Sequence, residues 1–170
     1  ARIGVPTALY ETFTELAPAL EFVKNASHPL VVKASGLAAG KGVIICNTLE
    51  ESKEALTGML TAGSFGDAGA SVVVEEFLEG EEASLIALCS GTDAIALATS
   101  QDHKRLLDGD AGLNTGGMGA VSSLEMLGDE LREVVERTIV RPTVEGLQKD
   151  GLPYRGFLYF GLMLTPDGPK

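Results

Sequence analysis

Residues 29–46 read Pro29-Leu-Val-Val-Lys33-Ala-Ser-Gly-Leu-Ala-Ala-Gly-Lys41-Gly42-Val-Ile-Ile-Cys46. Two apolar runs, 29–33 and 42–46, flank a glycine-rich segment and are typical of neighbouring buried strands. Glycine lets a backbone adopt conformations closed to other residues and come close to a bound group. The pattern therefore predicts a β-hairpin with a long flexible tip, and a lysine at each end of that tip.

The lysines of this hairpin favour phosphate binding. Three glycines in seven residues surround Lys41, so backbone amides and an ammonium can close over phosphates while Lys33 reaches them from the strand below. A Walker A loop is disfavoured, because only three residues separate Gly36 from Gly40, Gly42 follows the lysine, and a strand follows the loop. A flexible hairpin with a solvated lysine is the alternative.

Composition excludes several classes of partner. The chain has 170 residues, a formal net charge of -11, 5% aromatic residues and no tryptophan. A strongly acidic chain with few stacking side chains is unsuited to nucleic acid. No apolar run approaches the roughly 18 residues of a membrane span, and no signal peptide is visible. Cys46 and Cys89 lie in apolar runs and are expected to be buried thiols of a cytoplasmic protein.

Outward from the hairpin, helical and strand patterns alternate. Helices are predicted at 14–24, with Thr14 as cap, at 48–60, with Thr48 and Glu51 in capping-box spacing, and at 129–149, where Pro142 should kink or split the helix. Strands are predicted at 72–78, 83–89, 94–99 and 157–164, whereas 106–123 is glycine-rich and expected to be irregular. The combination predicts an α+β fold with largely antiparallel sheets.

The two ends of the chain suggest an excised piece of a longer protein. There is no initiator methionine, and residues 162–170 look like a strand that enters a hairpin turn without its partner strand.

Residues 72–82 are a candidate adenine site. A strand that ends in Glu75-Glu-Phe-Leu78 offers a backbone donor and acceptor as it leaves the sheet, and Glu82 can hold ribose hydroxyls. An acidic loop at a strand end is the simpler alternative for this segment alone.

Two further segments are candidates for substrate binding. Lys104 and Arg105 suit a phosphate or carboxylate, Asp102 suits an amine, and His103 is as easily structural. Asn114-Thr-Gly-Gly-Met-Gly119 resembles an anion-binding nest, although an irregular surface turn is also credible.

Taken in order, four motifs resemble one family closely. They are 32–43, 74–82, Gln101-Asp-His-Lys-Arg105 and 114–120, and the chain resembles the phosphoribosylamine–glycine ligases of the ATP-grasp superfamily over essentially its whole length. The first two motifs alone would indicate only an ATP-grasp protein. The last two make the resemblance specific.

The resemblance implies an ATP-grasp fold, two α+β lobes gripping ATP, truncated at its C-terminal side, with a small lobe at 1–71 and a larger, incomplete lobe at 72–170. It implies ATP- and magnesium-dependent joining of glycine to 5-phosphoribosylamine through glycyl phosphate in purine biosynthesis. It assigns nucleotide binding to Lys33, Gly40, Lys41, Gly42, Glu75, Glu76, Phe77, Leu78 and Glu82. It assigns substrate binding to Asp102, His103, Lys104, Arg105, Asn114, Thr115, Gly116 and Gly117, with Lys41, Lys104 and Arg105 as the catalytic cations.

Metal ligands are expected just beyond Lys170, so no residue of this chain is assigned to magnesium. The remaining lobes of the parent enzyme are the expected protein partners, and the piece alone is expected to be inactive. Two alternatives remain open: a ligase for another carboxylate and amine, and a non-catalytic module that binds adenine nucleotides.

Overall fold

The structure, a computed structural model, describes residues 2–36, 42–61, 66–109, 111–122 and 127–170, without the side chains of residues 66, 67, 113 and 114. The chain forms two compact units. The small unit comprises Ala8–Phe77 with Asn114–Gly116, and the large unit comprises Ala1–Thr7, Leu78–Leu113 and Gly117–Lys170. This division differs from the predicted boundary at residue 72, because β4 (Val72–Glu76) pairs with strands of the small unit.

The small unit has an antiparallel sheet in the order β1-β4-β2-β3. Its elements are β1 (Tyr10–Phe13), α1 (Leu16–Asn25), β2 (Leu30–Ala34), β3 (Val43–Cys46), α2 (Leu49–Leu60), a 3-10 turn (Gly66–Ala70) and β4.

The core of the small unit lies between one face of this sheet and its two helices. In β2, Leu30 and Val32 are buried whereas Val31 and Lys33 are only half-buried, as the two-residue period of a strand requires. The sheet core continues into Val72 and Val74 of β4 and is closed by buried residues of both helices, among them Ala19, Val23, Leu56 and Met59.

The N-terminus of α2 follows the predicted capping pattern. The Thr48 side chain accepts a hydrogen bond from the Glu51 amide at 3.2 Å. Glu51 accepts from the Asn47 amide at 2.6 Å, one residue before the cap. Each bond satisfies a backbone donor that the helix itself cannot pair.

Replacing this cap should destabilise the small unit measurably. Thr48→Ala should cost about 1 kcal/mol of unfolding free energy, because the Glu51 amide loses its acceptor. Thr57→Ala is the matched control, since the Thr57 hydroxyl donates at 2.7 Å to the Lys53 carbonyl inside the same helix and caps nothing. Urea unfolding of both variants checks the prediction, and equal losses would contradict it.

The large unit has a six-stranded antiparallel sheet in the order β10-β9-β5-β7-β8, with β6 paired to β5. Its strands are β5 (Glu81–Ser90), β6 (Asp93–Ala96), β7 (Ser100–Leu107), β8 (Ala111–Ser122), β9 (Arg155–Thr165) and β10 (Gly168–Pro169). Within β8, Asn114–Gly116 are grouped with the small unit. Its helices are α3 (Asp129–Val135) and α4 (Arg141–Lys149), joined by a π-helical segment, Glu136–Val140.

The long β5–β9 pair forms the centre of the large unit. The pairing runs from Glu81 opposite Leu164 to Ser90 opposite Arg155. Ala83, Leu85 and Ala87 of β5 are buried together with residues of β9 and of the helical segment, among them Phe160, Leu162, Val135, Ile139 and Val144. One face of this sheet is therefore the core, and the opposite face carries the polar residues described below.

The helix predicted at 129–149 is divided next to Pro142, as expected for proline, and a π-helical segment lies at the division. Proline has no amide hydrogen and cannot donate to the preceding turn. The Arg141 amide donates to the Glu136 carbonyl, five residues back, which is the π-helical spacing. The helix is divided into three pieces, and the backbone stays in the right-handed helical region at the junction residues Val135, Val140 and Arg141.

Three local predictions are wrong. Residues 106–123 are largely the strands β7 and β8, because their pairing supplies the order that the sequence pattern lacked. Helix α1 begins at Leu16 with Glu15 as N-cap and no side-chain capping bond, because β1 ends only at Phe13 and a bend at residues 14 and 15 separates it from the helix. The hairpin partner of β9 is present as β10, where Gly168 pairs with Thr165. Among the described residues, no helix is long and apolar enough to span a membrane.

Candidate functional site

The open face of the small unit carries an ion pair. Lys33 of β2 lies on the face opposite the helices, and its Nζ contacts Glu75 Oε2 of β4 at 2.5 Å. Both side chains are only partly exposed. Val31 lies directly opposite Glu75, and Val73 lies opposite Lys33. The Lys33–Glu75 ion pair thus lies between apolar side chains of the sheet surface. A phosphate that displaced the Glu75 carboxylate would contact the Lys33 ammonium.

The base of the glycine-rich loop is held by packing. Gly42 is buried, and its carbonyl accepts from the Ala34 amide at 2.8 Å. A Cβ on Gly36 would lie 2.6 Å from Cα of Ala68, so this glycine is required by contact with the 3-10 turn. The predicted phosphate-binding residues Gly40 and Lys41 lie outside the described residues.

The predicted adenine segment follows the end of β4. Pairing ends at Glu76, which lies opposite Leu30. The Glu76 amide donates to the Leu9 carbonyl at 2.9 Å, and its carboxylate accepts from the Leu9 amide at 3.0 Å. Glu76 therefore anchors the segment 8–9. Phe77 and Leu78 come directly after the last paired residue, and the division between the two compact units falls between them.

The open face of the large unit carries a second charged cluster. Lys104 of β7 lies 3.3 Å from the carboxylate of Glu82 on β5 and 3.5 Å from that of Asp102. The Gln101 side-chain amide donates to the Glu82 carbonyl at 3.1 Å and ties the two strands together. The predicted ribose ligand Glu82 and two of the predicted substrate ligands, Asp102 and Lys104, therefore lie in one cluster.

The Lys104 ammonium is stabilised in its charged form. Burial lowers the pKa of Lys104, but the carboxylates of Glu82 and Asp102 outweigh burial and hold this pKa above its ordinary value. Lys104 is therefore a permanent cation at neutral pH.

Residues Asp102 to Arg105 do not form one wall. Successive residues of a strand point to opposite faces, and Asp102 and Lys104 share the face of Glu82. His103 is exposed, and the Arg105 guanidinium donates at 2.8 Å to the Gly112 carbonyl on β8. Arg105 thus braces the β7–β8 hairpin, whereas Lys104 belongs to the charged cluster.

The predicted substrate loop is part of β8. Thr115 is half-buried and Gly116 has open space around it. Gly117 has φ +129°, a backbone conformation that other residues rarely adopt. The side chain of Asn114 is outside the described part of the chain.

Sequence reasoning missed two hydroxyl groups beside the large-unit cluster. Ser84 Oγ and the Tyr159 hydroxyl lie 3.1 Å apart. The Tyr159 ring lies over Gly161, where a Cβ would come within 3.3 Å of the ring. The period-2 alternation of β5 and β9 could have identified both residues, because Glu82 and Ser84 share one face of β5.

The two cysteines are free thiols in the two cores. Burial raises the pKa of both Cys46 and Cys89, which keeps the unreactive thiol form dominant. Maleimide at pH 8 should therefore label neither residue until the protein unfolds. Labelling of the native protein at the rate of a small free thiol would contradict this prediction.

Within the described ranges, no group of three or more His, Cys, Asp or Glu side chains could hold a metal ion. The magnesium ligands expected beyond Lys170 stay a prediction.

Comparison with known proteins gives a consistent result. The family model described as phosphoribosylglycinamide synthetase, ATP-grasp (A) domain, matches residues 1–170. A phosphoribosylamine–glycine ligase of Ralstonia nicotianae is 57% identical over 170 residues, which is 99% of this chain and 40% of that protein. The crystal structure of the Thermotoga maritima phosphoribosylamine–glycine ligase superposes with a TM-score of 0.85 at 37% identity, covering 99% of this chain and 42% of that one.

A more distant likeness shows the fold alone. The biotin carboxylase domain of the 2-oxoglutarate carboxylase of Hydrogenobacter thermophilus, a complex with MgADP, has a TM-score of 0.72 at 19% identity and covers 98% of this chain and 35% of that one. The chain spans about 40% of the length of the curated relatives it matches.

Proposed function

This chain belongs to the phosphoribosylglycinamide synthetase family as its ATP-grasp (A) domain, and from that premise we propose that it is part of a longer ligase. The proposed reaction joins glycine to 5-phosphoribosylamine with ATP and gives glycinamide ribonucleotide, ADP and phosphate. The isolated piece is proposed to be inactive, because it spans about 40% of its relatives.

The single observation that carries the proposal is that each unit has a lysine paired with a carboxylate on the open face of its sheet. In each unit a lysine lies on the open face of an antiparallel sheet and contacts a carboxylate of the neighbouring strand, Lys33 with Glu75 and Lys104 with Glu82. A lysine whose carboxylate partner can be displaced is suited to bind an incoming phosphate or carboxylate.

We assign nucleotide binding to the small-unit face and the segment that follows β4. Lys33 exchanges Glu75 for a phosphate oxygen, and Gly40, Lys41 and Gly42 close over the phosphates. Phe77 and Leu78 supply backbone groups to adenine, since pairing ends before them. Glu76 is occupied with Leu9, so its role is to fix this segment.

We assign the substrate side to the large-unit cluster. Lys104 neutralises the charge that develops as phosphate moves to the glycine carboxylate, and Asp102 holds an amine. Glu82 fixes Lys104 and accepts from ribose hydroxyls. Arg105 acts by holding β8 in place, while the contributions of His103, Asn114, Thr115, Gly116 and Gly117 remain predictions.

The chemistry needs a positioned and dry site. A carboxylate oxygen of glycine attacks the γ-phosphorus and ADP leaves; the amine of phosphoribosylamine then attacks the glycyl carbonyl and expels phosphate. Water would compete with the amine for the acyl phosphate, so closure over the reacting groups is part of catalysis. Holding the two reactants together supplies much of the rate enhancement.

Magnesium, which a relative of the same fold binds with ADP, is proposed to be held by residues beyond Lys170. The protein is proposed to act in the cytoplasm, without nucleic-acid or membrane partners.

Product formation by the full-length protein tests the proposal. Incubation with ATP, magnesium, phosphoribosylamine and carbon-labelled glycine should give labelled glycinamide ribonucleotide in equal amount to ADP. ATP consumption with another carboxylate and none with glycine would replace this proposal with a different ligase, and nucleotide binding without turnover of any acid would indicate a binding module.

A further inference from the structure

The open face of the large unit continues from the charged cluster into a field of large apolar side chains. Residues that are directly opposite in an antiparallel sheet share one face. Leu88 lies opposite both Ile95 and Phe157, and Ile86 lies opposite Tyr159. The Leu97 amide donates to the Ile86 carbonyl at 2.8 Å, which continues the same register. Six side chains thus form two rows of three, and we call them the apolar face: Ile86, Leu88, Ile95, Leu97, Phe157 and Tyr159.

The six side chains are exposed although the opposite face of the same strands is a closed core. Their exposed fractions run from 37% at Ile86 to 67% at Phe157. Ala87 lies between the two rows and is fully buried on the other side, with Ala96 and Leu158 packed against the same core. A contiguous exposed apolar area of this kind marks an interaction surface, unlike single exposed residues.

We propose that the apolar face is the docking surface for the part of the full-length protein that lies outside residues 1–170. Family members of high identity carry about 60% of their length outside the matched region, since the match covers 40% of them. That is enough additional chain for one or more further domains. The inference rests on the family's length and on this surface, and it is independent of the proposed reaction.

Charge argues against a second copy of this chain as the occupant. The net charge of -11 means that two copies brought face to face would repel each other through the surrounding surface. None of the six side chains is charged, so the surface itself offers no ion pair to offset that repulsion. A segment of the same polypeptide is held near the face by its covalent connection and avoids most of this cost.

Thiol labelling tests the docking surface directly. Ile95→Cys lies on the apolar face and Leu152→Cys lies elsewhere in the same unit; the parent residues are 66% and 63% exposed. Cys46 and Cys89 are buried in the cores and serve as an unreactive background. Both variants are made in the 170-residue chain and in the full-length protein, and maleimide labelling is measured with and without ATP at several protein concentrations.

We expect Ile95→Cys to react at least tenfold more slowly in the full-length protein than in the 170-residue chain, with less than threefold change at Leu152→Cys. Within the full-length protein alone, Ile95→Cys should be at least tenfold slower than Leu152→Cys. Equal rates at the two positions overturn the proposal. Protection that grows with protein concentration identifies a second copy, and protection that requires added ATP identifies a nucleotide; either result also overturns it.

Discussion

Lys104→Ala should lower kcat of the full-length protein about 100- to 1000-fold while changing its unfolding free energy by less than about 1 kcal/mol. The Lys104 ammonium lies 3.3 Å from the carboxylate of Glu82 and 3.5 Å from that of Asp102. Its removal leaves both carboxylates without their cation. It also removes the positive charge proposed to stabilise the negative charge that develops on the transferred phosphate. Steady-state kinetics with glycine as the varied substrate, together with urea unfolding, measure both quantities.

Lys53→Ala is the matched control for this prediction. Lys53 is 39% exposed and pairs with Glu50 at 3.4 Å, whereas Lys104 is 42% exposed and pairs with Glu82 at 3.3 Å. The two lysines differ in place: Lys53 lies on α2 and Lys104 lies on an open sheet face. An unchanged kcat in Lys104→Ala, or an equal loss in both variants, would remove Lys104 from the proposed catalytic cations.

Gly80→Ala should destabilise the protein by about 3 kcal/mol. A Cβ at this position would lie 2.3 Å from the Leu164 carbonyl oxygen and 2.8 Å from its carbonyl carbon. Both atoms belong to the backbone and cannot rotate away. The next residue, Glu81, is paired with Leu164, so the substitution must separate β5 from β9 where the central strand pair of the large unit begins.

Gly116→Ala separates this steric effect from the general cost of adding a methyl group. No heavy atom lies within 4 Å of the Cβ position of Gly116, and its φ lies outside the left-handed range of +20° to +160°. The unfolding free energy of Gly116→Ala should therefore differ from that of the parent by less than about 0.5 kcal/mol. Urea unfolding of the two variants decides. Equal stabilities would mean that β5 and β9 do not approach as closely at Gly80 as the structure has them.

The sequence predicted those elements whose pattern is local. Helix α2 carries its own cap at Thr48 and its own apolar spacing, and the α+β class with antiparallel sheets is confirmed. Strand β1 was missed because four mostly exposed residues carry no periodic signal; it forms through its pairing with β4. Strand β8 was missed because its glycines break the pattern that strand prediction uses, and pairing within the sheet orders them.

For the candidate site too, local motifs identified residues, whereas their arrangement in space depends on strand pairing. The motifs name Lys33, Glu75, Glu82 and Lys104 as candidate site residues, and the structure places these four in two ion pairs. Which face of β7 each residue occupies was not anticipated, although alternation along a strand separates Lys104 from Arg105. Contacts between distant segments, such as Glu76 with Leu9, have no counterpart in local sequence.

The transfer of oxygen from glycine to phosphate tests the central claim most directly. The full-length protein is given ATP, magnesium, phosphoribosylamine and glycine labelled with oxygen-18 in its carboxylate. If the carboxylate attacks the γ-phosphorus and the amine then expels phosphate, each phosphate released carries one labelled oxygen and each glycinamide ribonucleotide retains the other. Phosphate without label, formed alongside ADP, would contradict ligation through an acyl phosphate and with it the function proposed for this chain.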